Sequence, residues 1–148
     1  MNTHPYVRAY MAGIVVPTIV PIFLLAVFIL ARLVCQFPVP IERALVFPMA
    51  LAPNLFGVWN MLYLLLHRRA YIPIGFHGAL LPFLIAPFGF LVGTSLGFVA
   101  AADGRIIWFQ VIAVPYPYVA VGFMVVLIGY YLVWKYFVNF FNKLQGIA

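Results

Sequence analysis

Charged residues divide this chain into long runs that contain none. Ala9–Ala31, Ala44–Leu66, Ala70–Ala102 and Ile106–Trp134 are uncharged, and each holds at least 23 residues. As helix, such a run rises about 34 Å, enough to cross a hydrocarbon core of about 30 Å. The pattern predicts four transmembrane helices near residues 12–34, 45–66, 77–101 and 114–136. Backbone groups in lipid need partners within the protein, so helix is favoured over strand in every run. The alternating pattern of a membrane β-barrel is absent. The expected fold class is an all-α integral membrane protein: one domain over residues 1–148, with four transmembrane helices in an up-down bundle and Pro-kinked helices.

The kinks are expected from paired prolines, Pro17/Pro21, Pro48/Pro53, Pro82/Pro87 and Pro115/Pro117. The first of each pair suits an opening turn, where its missing N–H is no loss, and the second sits deeper and disturbs the helix.

Helical periodicity then sorts the side chains into faces. On the second span, Ala50, Pro53, Asn54, Gly57, Asn60, Leu64 and His67 share one sector, with Leu51, Leu55, Val58, Trp59, Leu62 and Leu66 opposite. Small and amide side chains suit close helix contact in lipid, so Asn54, Gly57 and Asn60 are expected to face inward. An amide there needs a carbonyl, hydroxyl or water as partner. On the third span, Gly89, Gly93 and Gly97 form a doubled GxxxG spacing, expected to pack tightly within the chain or against a partner. Residues 134–145 extend the fourth span as an amphipathic helix, with Lys135, Asn139, Asn142 and Lys143 on one face and Trp134, Phe137, Val138 and Phe141 on another. That extension is expected to run into the headgroup region or to dock another subunit.

Composition agrees with the pattern. Hydrophobic residues make up 68% and charged residues 7%, against roughly 45–50% and 25% in average globular proteins. Two acidic residues cannot wet a surface of this size, so the apolar excess is expected to face the lipid bilayer. The first apolar run is longer than a signal-peptide core, and Arg32-Leu33-Val34-Cys35 lacks a small-residue cleavage pattern, so a retained span is expected. The formal charge of +6 comes from eight Lys and Arg scattered among the spans. They form no basic patch, and nucleic acid is not an expected partner. Arg8, Arg68, Arg69, Lys135 and Lys143 fall on one side of a four-span layout, with Arg32, Arg43 and Arg105 on the other. The excess of cations predicts a multi-pass protein with both termini cytoplasmic. Cys35 is the single cysteine, which excludes an internal disulfide and a four-cysteine zinc site.

Candidate chemistry is sparse. His67 and His77 flank the turn that carries Arg68 and Arg69, so the two histidines are candidate haem ligands with arginines for the propionates. On ideal helices, however, His77 points roughly 160° from the glycine face of its own helix, and histidines in a basic interfacial turn are the simpler expectation. No metal site is expected. Glu42 suits the positive end of the second span, and Asp103-Gly104 reads as a tight turn closing the third. No acid lies mid-span, which counts against an ion-coupled transporter. Thr94 and Ser95 have no histidine nearby, and no P-loop, dinucleotide fingerprint or metalloprotease motif occurs, so catalysis is not expected. The leading expectation is a non-catalytic accessory or structural subunit that associates with other membrane subunits or with itself. The alternatives are an oligomeric small-molecule or lipid transporter using the Asn54/Asn60 face, and haem-mediated electron transfer.

Overall fold

The computed structural model describes residues 4–36 and 41–147, with the side chains of residues 41–50 and of residue 68 outside that description. The expectations placed on Glu42, Arg43, Pro48 and the Arg68 side chain therefore lie outside the described residues. The protein is mostly helical. The order is α1 (Pro5–Leu33), α2 (Ile41–Ala70), α3 (Ile74–Ser95), β1 (Val99–Ala102), β2 (Arg105–Trp108), β3 (Ile112–Pro115), α4 (Tyr116–Leu132), a π-helical segment (Val133–Val138) and α5 (Asn139–Leu144).

Three helical stretches are long and apolar enough to cross a membrane: Pro5–Leu33, Ile74–Ser95 and the continuous run Tyr116–Leu144. The second helix is not among them. The side chains of residues 41–50 lie outside the description, and the described stretch that remains, residues 51–67, is not a candidate span.

Local chemistry moves the expected boundaries. Pro5 opens α1 seven residues before the anticipated start, because a proline at the first helical position has no N–H to waste. As a result Pro17 and Pro21 both lie inside α1, and Pro82 and Pro87 both lie inside α3. Neither Pro17 nor Pro82 occupies an opening turn. The fourth pair behaves differently: Pro115 is the N-cap of α4 and Pro117 falls in its first turn, so neither interrupts the helix.

The third helix stops at Ser95, not at residue 101. Gly97 adopts φ +73°, the Phe98 N–H donates to the Gly93 carbonyl at 2.8 Å, and the Gly97 N–H donates to Thr94 at 3.1 Å. These two bonds are a Schellman ending, which needs a left-handed residue where glycine carries no Cβ penalty. Gly97 is therefore a helix stop, and the three glycines do not form one helical stripe.

Beyond it the chain forms a three-stranded antiparallel meander in the order β1-β2-β3. Asp103 (φ 49°) and Gly104 (φ 72°) make the two-residue turn between Ala102 and Arg105, the positive-φ pair that matches strand twist. The expected tight turn is present, but it joins two strands and does not close a helix. This sheet corrects the all-helical expectation. Its paired residues Val99/Trp108 and Ala101/Ile106 put apolar side chains on one face. The outer strands β1 and β3 each leave one edge unpaired, which hydrocarbon could not satisfy.

The helices pack as two hairpins. The α1 helix lies along α2, burying Ala9, Ala12, Gly13, Pro17 and Pro21. A Cβ on Gly13 would sit 2.6 Å from the Phe56 carbonyl oxygen and 3.0 Å from Gly57 Cα, and a Cβ on Gly57 would sit 2.5 Å from the Tyr10 ring. Small residues facing small residues allow the two backbones to approach closely. The α3 helix packs on α4 and on the π-helical segment. The two hairpins meet at the end that carries both chain termini, where Phe56, Leu81, Trp134 and Val138 form the buried core. At that end a Cβ on Gly78 would lie 2.0 Å from Trp134 Cγ, so the indole occupies the space that glycine leaves.

Candidate functional site

The buried polar side chains of the described residues, Asn60, His77 and Asn142, gather at the closed end. Asn60 is fully buried. Its Nδ2 donates to the Ala9 carbonyl and to Asn142 Oδ1, both at 2.7 Å, while Asn142 Nδ2 donates back to Asn60 Oδ1 at 3.1 Å. Both N–H bonds of the Asn60 amide and its carbonyl are thereby used. One side chain ties α1, α2 and α5 together. Arg8 Nη1 adds a bond to the Gln145 carbonyl at 2.8 Å, which joins the two ends of the chain.

Asn60 and Gly57 are buried against α1, Asn60 at Ala9 and Gly57 beside Tyr10. Asn54 also turns toward α1, where its Oδ1 accepts from the Tyr10 hydroxyl. Asn142 is the surprise. The periodicity puts it on the polar face of the terminal extension, yet it is buried with Trp134 and Val138. The π-helical segment explains the change, because a wider turn shifts the register of the following residues. The extension packs against the protein's own base, with Phe137 exposed, and does not present Phe137 to a shared apolar face with Trp134.

A second clasp joins α2 to α3. The Trp59 indole N–H donates to the His77 carbonyl at 2.9 Å, and His77 Nε2 lies 3.0 Å from the Trp59 carbonyl. A carbonyl only accepts, so the imidazole carries a proton on Nε2. The two rings stack with centroids 4.9 Å apart, and Trp134 meets His77 edge-on. His67 by contrast is exposed, with Nδ1 3.3 Å from both the Tyr63 hydroxyl and the Ile72 carbonyl. The Tyr63 ring neighbours both imidazoles, at 5.1 Å from His67 and 5.4 Å from His77. Of the two candidate haem ligands, His67 is exposed and the Nε2 of His77 is committed to the Trp59 carbonyl. Among the described residues no group of three or more His, Cys, Asp or Glu stands together. Thr94 and Ser95 donate to carbonyls of their own helix, at Leu91 and Val92.

The opposite half of the molecule is apolar and open. A cavity of about 640 Å³ lies between α3, the sheet and α4, and a smaller one of about 420 Å³ lies between α1, α2 and α4. Val126 and Tyr130 line both, so α4 stands as the wall between them. Gly89 opens into the larger cavity, with nothing within 4 Å of the Cβ it lacks, and Gly93 sits under Val99. Neither glycine brings a second helix into backbone contact. The close-packed glycine pair is Gly13/Gly57, with Ala9, Ala12 and Gly13 sharing the buried face of α1. Compared with family models, with curated proteins and with solved structures, the chain matches none.

Proposed function

We propose that this chain is a four-span membrane protein with both termini on the cytoplasmic side, and that it serves as a non-catalytic accessory or structural subunit of a larger membrane assembly. The observation that carries the reading is a division of labour. The buried amides and the clasped histidine are consumed in closing one end of the molecule. The α4 helix buries no residue at all, and Val121, Met124, Val125 and Ile128 stand exposed on one of its faces. Those residues follow the i, i+3, i+4, i+7 spacing through which one helix meets another. The pairing of α2 with α1 supports a fourth crossing, and the Arg8–Gln145 bond supports termini on a common side.

A photo-crosslinking residue placed at Val125 in the native membrane tests the reading. One discrete protein adduct is expected. Crosslinks to lipid alone would overturn it.

A further inference from the structure

The fold collects cations that the sequence scatters. Arg8 precedes Ala9, whose carbonyl accepts from Asn60, and Lys143 follows Asn142, which bonds the same amide. Lys135 follows the core residue Trp134, and its Cβ would lie 3.2 Å from a Cβ on Gly75. Arg69 stands nine residues beyond Asn60, about 14 Å of helical rise. The α1 and α2 helices, the π-helical segment and α5 thus each bring one of these cations to the closed end. No acidic side chain accompanies them, because the only acids of the chain are Glu42 and Asp103. Glu42 falls in the first turn of α2, about 40 Å of helical rise before Arg69, and Asp103 lies in the first turn of the sheet.

The height of these charges selects their counter-charge. About 20 residues of helix, roughly 30 Å, span a hydrocarbon core. Counted from Tyr116, where α4 begins, that length ends at Lys135. The Lys135 ammonium lies over the Tyr131 and Tyr136 rings, 5.5 and 5.4 Å from their centroids, and tyrosine is a residue of the membrane–water interface. Arg69, Lys135 and Lys143 are exposed, as are Tyr71 and Tyr136. Four cations beside membrane spans attract anionic lipid, and each one near such a surface favours it about fivefold. An acidic protein docks on one face, whereas these cations are divided between the two hairpins, and head groups are available to each.

We propose that the closed end of the molecule is a binding surface for anionic phospholipid head groups. Arg69, Lys135 and Lys143 make the contacts, and Arg8, held by the Gln145 carbonyl, adds to their field. The proposal rests on the membrane placement given above and is independent of the subunit role.

The test uses the full chain in phosphatidylcholine vesicles with a trace of phosphatidylglycerol or phosphatidylcholine that carries a nitroxide on one acyl chain. Electron paramagnetic resonance should show an immobilised component from both lipids, larger for phosphatidylglycerol. The excess should shrink in the unmodified chain as salt rises from about 0.01 M to 1 M, because exposed charges are screened. The triple variant Arg69→Gln, Lys135→Gln, Lys143→Gln should lose most of the excess. Arg105→Gln, at the sheet end, should keep it. A preserved thermal transition in both variants separates loss of binding from loss of fold. Equal components from the two lipids in the unmodified chain would overturn the proposal and leave the cations to an acidic protein partner. An excess that salt does not reduce, that survives the triple substitution, or that Arg105→Gln removes as fully would overturn it too. No immobilised component from either lipid would overturn the membrane placement itself, and the proposal with it.

Discussion

Asn60 concentrates more of the tertiary structure than any neighbouring side chain on its helix. Replacing it by leucine leaves the buried Asn142 amide without its partner, at a cost of about 1–3 kcal/mol, and removes the second bond to the Ala9 carbonyl, which its own helix still holds. Asn142→Leu should cost a similar amount. The double variant should cost less than the two single losses added, because it removes both ends of the reciprocal pair. Unfolding in micelles measures all three, and strict additivity would contradict the pairing. Glycines give a second contrast. Gly78→Ala drives a methyl into Trp134 and should cost roughly 3 kcal/mol or more, the upper end of overpacking penalties. Gly89→Ala meets nothing inside α3 and should stabilise by about 0.5–1 kcal/mol. At this scale the inward face of the second helix was legible, since amides and glycine at helical spacing have one economical place in lipid. Asn142 was not, because the π-helical turn that rotates it inward has no signature in a 3.6-residue period.

Among the elements, the terminal helix and the sheet show where periodicity runs out. Removing residues 139–148 strips Asn142 from Asn60 and the Gln145 carbonyl from Arg8. Hydrogen exchange should then rise through the first three turns of α1 and stay unchanged in the sheet. Unchanged protection at Ala9 would contradict the role given to the tail. Gly97→Ala forces a Cβ into a left-handed conformation and should cost about 1–2 kcal/mol, measured by thermal unfolding. Long apolar runs between charges did announce α1, α3 and α4, because length and lack of charge are what a crossing requires. The same runs concealed the meander. Apart from Asp103, Arg105 and Gln110, Val99–Pro115 is apolar, and its signals were local: Gly97 as a helix stop and Asp103-Gly104 as a hairpin turn. Read as spacing, Gly97 joins Gly89 and Gly93. Read as backbone chemistry, it ends their helix.

The whole molecule separates polar closure from apolar opening. Both termini, the amide network, the Trp59–His77 clasp and the Trp134 core share one end. The sheet and two cavities share the other. Composition predicts a largely apolar surface, but not that the helices would part into two hairpins with α4 left unburied. That arrangement gives a subunit role its physical basis. The most direct measurement is the mass of the particle extracted from native membranes in a mild polymer or detergent. The account predicts a stable particle well above the 16.6 kDa of the chain, holding it at fixed stoichiometry with at least one other membrane protein. A monodisperse particle containing one copy of this chain and lipid alone would contradict it.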